Sequence, residues 1–375
     1  ILSALLKRRT PIYKMLDLIE VNNILNHPIS ISLIGALALI DLSMVFSISP
    51  LVKMFQGWKE VHNITYDSHC EERNGFDNWK SNLKKVQSKP VDSFTLEMNR
   101  FADQSHDEFA SKWNGVRLPQ KIIKKIKNRS VVVSTEKYGR TYAIDGRNTN
   151  INVDSLPKSV DWRNKGVVNP VKSQLQCGSC WAFSAVGSLE SQYALKHKKL
   201  ISLSEQDLVD CMVNFPTPNG ECCDGCGGGW MGASYDFLKQ NQAGQDDLES
   251  KYTYTAIDGN CKFKQDGPGL SNVTGKVTLK PGSDLDLMKA VASIGPISVG
   301  VDANWDWQMY ESGVYVPDPS NGGCSSDPAS IDHGVVVVGY DTNTFKNNDG
   351  TTSTLSYWII RNSWGPTHRG SWYCN

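Results

Sequence analysis

Between Leu51 and Lys89 apolar side chains return at helical intervals. Phe55 and Trp58 stand three apart. Phe76, Trp79, Leu83 and Val86 follow at steps of three or four, with Glu71, Arg73, Asp77, Lys80 and Lys84 between them. An apolar stripe on an otherwise charged segment predicts a pair of amphipathic helices. The stretch "FTLEMNRFADQSHDEF" predicts a short extended piece leading into a helix capped near Ser105. Residues 111–155 lose this periodicity, fill with Lys, Asn, Ser, Thr and Gly, and read as a linker. At Pro157 and "SVDWR" the composition shifts toward Gly, Cys and Trp, which puts a domain boundary near 150–156. Beyond Cys180, the residues Phe183, Val186, Leu189 and Tyr193 share one helical face, so Cys180 is expected at a helix N-terminus. The runs "PISVGVD", "HGVVVVGYD" and "LSYWIIRNSW" read as strands. Helices come first and strands later, which predicts an α+β fold rather than an alternating βαβ one.

Composition narrows the class. The chain has 375 residues, 39% hydrophobic and 21% charged, as expected of a packed core and not of a disordered chain. Basic and acidic residues number 39 each, so net charge gives no argument for a nucleic-acid partner. The short basic run "KIIKKIKNR" at 121–129 reads as a solvated, protease-sensitive linker. Residues 29–49 hold an apolar run preceded by Lys7, Arg8, Arg9 and Lys14, which reads as a signal peptide or, alternatively, a signal anchor. Ten cysteines are present and nine lie after residue 176, a pattern expected of an oxidising compartment and a disulfide framework. Sequons at Asn63, Asn128 and Asn272 fit the same secreted reading.

The segment "QLQCGSCWAFSA" carries the candidate chemistry. A C-x-x-C pair can hold a metal, run redox exchange, or combine one structural and one nucleophilic sulfur. Cys177-x-x-Cys180 with Cys223-x-x-Cys226 resembles two halves of a zinc site, but zinc leaves Gln174, Trp181, His333 and "NSWG" unexplained. No thioredoxin-like pattern surrounds the pair. A thiolate nucleophile at a helix N-terminus needs an imidazole and a group to orient it. His333 and Asn362, each at the edge of an apolar strand, are the candidates. Gln174 and the Cys180 N–H can serve a developing oxyanion.

"QLQCGSCWAFSA", "SLSEQDLVDC", "GCGGGWM", "IDHGVVVVGY" and "RNSWG", in this order from about Leu156 to Trp364, resemble the papain family of cysteine peptidases. His333 and Asn362 stand 153 and 182 residues after Cys180, against about 130–150 in the family signature. The longer second gap fits a loop inserted between Tyr340 and Tyr357. The resemblance implies a two-subdomain fold, a helical left half and a barrel-like right half. It also implies a cysteine endopeptidase with Cys180 as nucleophile, His333 as acid/base, Asn362 as orienter and Gln174 as oxyanion donor, without cofactor or metal. Trp364 would shield the Asn–His hydrogen bond. Gly178, Ser179, Gly228, Gly229 and Asp332 would contact substrate. Trp230, Met231, Gly300, Ile331 and Gly334 would wall a pocket for a hydrophobic residue two positions upstream of the cut. Implied bridges are Cys177–Cys226 and Cys211–Cys261, and Cys324 resembles half of a third.

The first half resembles the family's inhibitory propeptide. Glu71, Trp79, Asn82 and Val86 match its long helix motif, with Gly75 in place of an Arg and Pro90 in place of an Asn. "EMNRFAD" resembles its second motif, with Glu97 in place of a Gly. Expected regions are a leader over 1–49, propeptide and linker over 50–152, and the peptidase domain over 153–375. Such a protein would be secreted or lysosomal/vacuolar and monomeric, open to cystatin-like inhibitors. Departures from the family are Leu175 after Gln174, His368-Arg369 after "NSWG", and a tail that ends at Asn375, read as truncated and leaving Cys324 without a bridge. These keep open an alternative, a catalytically impaired homologue that binds peptides.

Overall fold

The computed structural model describes residues 49–375 except 90–92, 130–141, 145–146, 150–154, 219, 264–271, 281, 318–322, 326, 347–350, 367–369 and 373–375. The expected leader, Pro90, His368-Arg369 and Cys374 lie outside the described residues. Two compact units divide at Asn63. In the first, α1 (Pro50–His62) opens with Pro in its first turn and ends on Asn63 in the left-handed conformation, as helices commonly do.

The second unit begins with α2 (His69–Ser88), whose Ser68 cap accepts the Glu71 N–H. Gly75 has a steric reason: a side chain there would strike the Tyr66 ring, whose hydroxyl donates to Asp103 at 2.8 Å. Next come β1 (Phe94–Leu96) and α3 (His106–Trp113), the latter started by a Ser105/Glu108 capping box. The linker expectation for 111–155 fails in its first part. Residues 114–118 run extended past Cys180, and the basic run folds as α4 (Gln120–Arg129) with Ile123 buried. Periodicity over ten residues with four lysines was too faint a signal. β2 (Tyr142–Ile144) and β3 (Arg147–Thr149) form a small hairpin, and β4 (Val160–Asp161) follows.

One half of the catalytic region is helical. It contains α5 (Cys180–His197), α6 (Glu205–Cys211), the hairpin β5 (Phe215–Thr217) and β6 (Gly220–Cys222), and α7 (Met231–Asn241). α5 is buried nearly all round in its first three turns, as a central core helix must be. Beside it, Lys172 Nζ reaches Glu190 at 2.9 Å, Glu205 at 2.8 Å and the Leu203 carbonyl at 3.0 Å. The other half contains α8 (Asp284–Ser293), β7 (Ile297–Val301), α9 (Trp305–Met309), β8 (Tyr310–Tyr315), β9 (His333–Lys346), β10 (Thr352–Arg361) and β11 (Gly370–Trp372). Its seven-stranded sheet runs β1-β8-β11-β10-β9-β4, with β7 also on β9.

The expected inserted loop is instead a continuation of the β9–β10 ladder out to Lys346 and Thr352. Alternating Thr and Ser carry it, with Thr342 facing Ser356 and Thr344 facing Thr354. Disulfides join Cys177 to Cys226, Cys211 to Cys261 and Cys222 to Cys223. Cys324 is disulfide-bonded, which corrects the expectation that it lacks a bridge.

Residues 94–113 dock on the sheet half through β1–β8 pairing and a shared aromatic core. Phe101, Phe109 and Trp113 pack with Trp307 and Trp364. Asn82 donates to the Ala102 and Gln104 carbonyls at 2.8 and 2.9 Å and accepts from Trp305 Nε1 at 2.9 Å. Asn99 donates to the Gln308 carbonyl at 2.7 Å, and Lys89 pairs with Asp306.

Candidate active site

Cys180 is the first residue of α5, at the seam between the two halves, and is fully buried. His333 opens β9, and Asn362 directly follows β10. Antiparallel pairing brings the start of one strand beside the end of the other, so residues far apart in sequence meet. Asn362 Oδ1 lies 2.8 Å from His333 Nε2. An amide oxygen can only accept, so Nε2 carries the proton and the lone pair sits on Nδ1. That Nδ1 is buried and makes no hydrogen bond. Trp364 lies with its ring centroid 4.5 Å from that of His333 and is fully buried, keeping water from the pair. Gly334 approaches Cys180 closely: a Cβ there would sit 3.0 Å from the Cys180 carbonyl oxygen.

Gln174 is held from three sides. Its N–H donates to the Ser363 carbonyl at 2.8 Å, its Oε1 accepts from Ser363 Oγ at 2.6 Å, and its carbonyl accepts from Tyr254 OH at 2.7 Å. With Oε1 engaged, Nε2 must face the cleft, where it donates to the Trp113 carbonyl at 2.8 Å and the Cys177 carbonyl at 2.9 Å. One residue pair on, the Gly115 N–H donates to Cys180 Sγ at 3.1 Å. The segment then pairs with the glycine loop. Gly229 N–H donates to the Gly115 carbonyl at 2.7 Å, and Arg117 N–H to the Gly229 carbonyl at 2.8 Å. Opposite, Val116 N–H donates to the Asp332 carbonyl at 2.8 Å.

Residues 156–374 match the papain family of cysteine proteases, and residues 55–109 match the cathepsin propeptide inhibitor domain. Cathepsin L2 of Homo sapiens is 40% identical over 317 residues, 82% of each chain. Fruit bromelain of Ananas comosus is 33% identical over 319 residues, 84% of this chain and 78% of its own. Among solved structures, the digestive procathepsin L2 proteinase of Tenebrio molitor larval midgut superposes with a TM-score of 0.65 at 28% identity, over 87% of this chain and 95% of that one. The chain belongs to the papain family.

It is a papain-family cysteine endopeptidase in zymogen form, with its inhibitory propeptide in place. Burial acts on both candidate groups. It pushes the Cys180 thiol up to about 11 and the His333 imidazole down to about 4. Desolvation thus favours the neutral form of each.

The pocket residues of the papain-family pattern partly converge. A Cβ on Gly300 would meet Ile331 at 2.7 Å and Met231 at 3.6 Å, and Gly334 faces the Met231 sulfur. Trp230 is half-buried at the start of α7, beside Gly232. Gly178 has its backbone against Gly115, and Gly228 packs on the Arg117 side chain. Ser179 differs: its hydroxyl is engaged with Tyr254 OH at 2.6 Å. The Asp332 carboxylate accepts from the Ala303 N–H at 2.9 Å and from Asn114 Nδ2 at 2.8 Å, and burial pushes it up to about 6. Sequence reasoning missed Ser363, Tyr254, Asn114 and Gly115. Ser363 was legible as the neighbour of Asn362, whereas the others become relevant only when the chain folds back on itself.

Proposed function

We propose that Cys180 attacks the scissile carbonyl, with His333 Nδ1 taking the thiol proton and returning it to the leaving amine. Asn362 holds the imidazole in this tautomer, and Trp364 keeps the hydrogen bond dry. Gln174 Nε2 and the Cys180 backbone N–H stabilise the oxyanion. The thioester then hydrolyses by the same proton path in reverse. Substrate lies along Gly228 and Gly229, with a hydrophobic side chain two positions upstream in the pocket of Met231, Gly300, Ile331 and Gly334 beside Trp230. The observation that carries this reading is the propeptide itself. It puts a carbonyl oxygen, that of Trp113, on Gln174 Nε2, and a peptide N–H on the Cys180 sulfur. The inhibitory segment, parallel to the glycine loop at Val116–Gly229, thus occupies the binding groups while meeting the sulfur with an N–H.

In this reading the leader is 1–49, the propeptide and linker 50–152, and the peptidase 153–375. The protein is secreted or lysosomal/vacuolar, works as a monomer, is open to cystatin-like inhibitors, and carries glycans at Asn63, Asn128 and Asn272. The test is alkylation of the activated enzyme with iodoacetamide near neutral pH. The adduct should map to Cys180, and Cys180→Ala should abolish turnover. His333→Ala should cost about 10²–10⁴-fold in kcat. Labelling elsewhere, or turnover by the alanine variant, refutes the assignment.

A further inference from the structure

The hairpin β5–β6 delivers Cys222 into a bond with its own neighbour, Cys223. The mechanism above uses neither residue. Cys223 stands at φ 75°, in the left-handed region that side-chain-bearing residues avoid. Its sulfur accepts the Trp230 N–H at 3.4 Å. A Cβ on Gly229 would come within 2.9 Å of the same sulfur and 2.6 Å of the Trp181 ring. Gly229 therefore turns its N–H and carbonyl toward the propeptide and its side-chain direction toward Cys223. The Cys223 carbonyl is in turn fixed by the Asn214 N–H at 2.9 Å, and the Asp224 N–H donates to the Gly228 carbonyl at 2.8 Å. The sulfur is thus a strut behind the peptide that grips the chain in the cleft.

We propose that the Cys222–Cys223 disulfide holds the Gly229–Trp230 strand in position for substrate, and that a thiol reductant which opens it loosens that grip. Cys223 is then a positioning residue and the bridge a redox-sensitive part of substrate binding. Reduction takes two thiols, delivers two electrons and two protons, and leaves Cys222 and Cys223 as thiols with one external disulfide formed. Once open, the Cys223 backbone keeps the Asn214 hydrogen bond but loses its covalent tie, and its sulfur can rotate away from the Trp230 N–H and the back of Gly229. Cys180, His333, Asn362 and Gln174 are held by other contacts, so the chemical step is spared. The inference rests on reading Gly229 as substrate-binding backbone.

The experiment uses mature enzyme released from the full chain, with Cys180 unmasked by a mild monothiol and then titrated with dithiothreitol. Alkylation and peptide mapping report each bridge. A peptide filling several upstream positions and a short ester report turnover. The expected result is that Cys222–Cys223 opens before Cys177–Cys226 and Cys211–Cys261. KM for the long peptide should rise about fivefold in step, with kcat changed less than about twofold and the short ester unaffected. The double variant Cys222→Ser with Cys223→Ser should start at the raised KM and ignore the reductant. If that variant fails to fold, the wild-type titration still decides. The inference is overturned if KM is independent of the bridge, if kcat falls with it, or if the bridge opens no earlier than the others. Absence of turnover in every form, with Cys180 fully alkylatable, would instead overturn the catalytic reading.

Discussion

Gly115 is the residue on which inhibition turns. A Cβ built there would overlap the Gly178 carbonyl oxygen, a backbone atom that cannot rotate aside. Only glycine lets the propeptide lie close enough for its N–H to reach Cys180 Sγ. Gly115→Ala should therefore weaken the propeptide by about 1–3 kcal/mol, the usual cost of overpacking. The variant zymogen should show peptide hydrolysis at neutral pH that the parent lacks. Leu175 has the opposite defect. It stands at φ 52° with its side chain exposed, so it pays for a left-handed backbone and packs on little. Leu175→Gly should raise stability by about 1 kcal/mol, read as a higher thermal midpoint with unchanged activity.

At the scale of elements, α6 and the turn after α7 bury two carboxylates whose charges oppose each other. Asp207 and Asp246 are both fully buried; Asp207 accepts from Gln242 Nε2 at 2.8 Å and the Asp247 N–H at 3.2 Å, whereas neither Asp246 carboxylate oxygen finds a hydrogen-bond partner. Burial pushes Asp207 up to about 6, and burial with the Asp207 charge pushes Asp246 well above the usual carboxylate range. The folded state thus binds more protons than the unfolded chain, whose carboxylates titrate near about 3.9. The stability contributed is full below that value and is lost as pH rises through 6, by up to about 1.4 kcal/mol per proton per pH unit. Asp246→Asn keeps the size and shape of the side chain without the titration. Its thermal midpoint should exceed that of the parent at pH 7, and the gap should close toward pH 4. A gap of equal size at both pH values would refute the raised titration of Asp246.

For the whole molecule, the same linkage couples acidity to activation. With the propeptide in place, His333 stays neutral down to a pKa of about 4. Once the propeptide leaves, water returns and the imidazole recovers toward about 6.5. Between these values the open form binds one more proton, so acid pulls the zymogen open, up to about tenfold per pH unit. The affinity of a synthetic propeptide for mature Cys180→Ala enzyme, which cannot cleave it, should fall along this slope from pH 6.5 to 4. His333→Gln should flatten the slope. The exposed Lys127–Asp327 pair, at 3.0 Å, contributes little, as solvent-screened pairs do.

The sequence alone named the candidate groups and where each would sit, and the local part of that reading matches the structure. A helix start fixes Cys180, and apolar strand edges fix His333 and Asn362. The α+β class followed from helices preceding strands, and the amphipathic pair before Lys89 from periodicity. Tertiary structure decided what depends on distant segments meeting. Residues 114–118 look like linker because their backbone bonds go to Gly229 and Asp332 rather than to neighbours, so no local pattern marks them. α4 buries Ile123, yet its four lysines hide the apolar face from a reading of the chain alone. The β9–β10 ribbon reads as a loop because Thr, Ser and Asn there are spaced for a partner strand and not for a core. The joining of Cys222 to Cys223, and the placing of their sulfur behind Gly229, required the glycine loop to fold over Trp181, an encounter no spacing in the chain encodes.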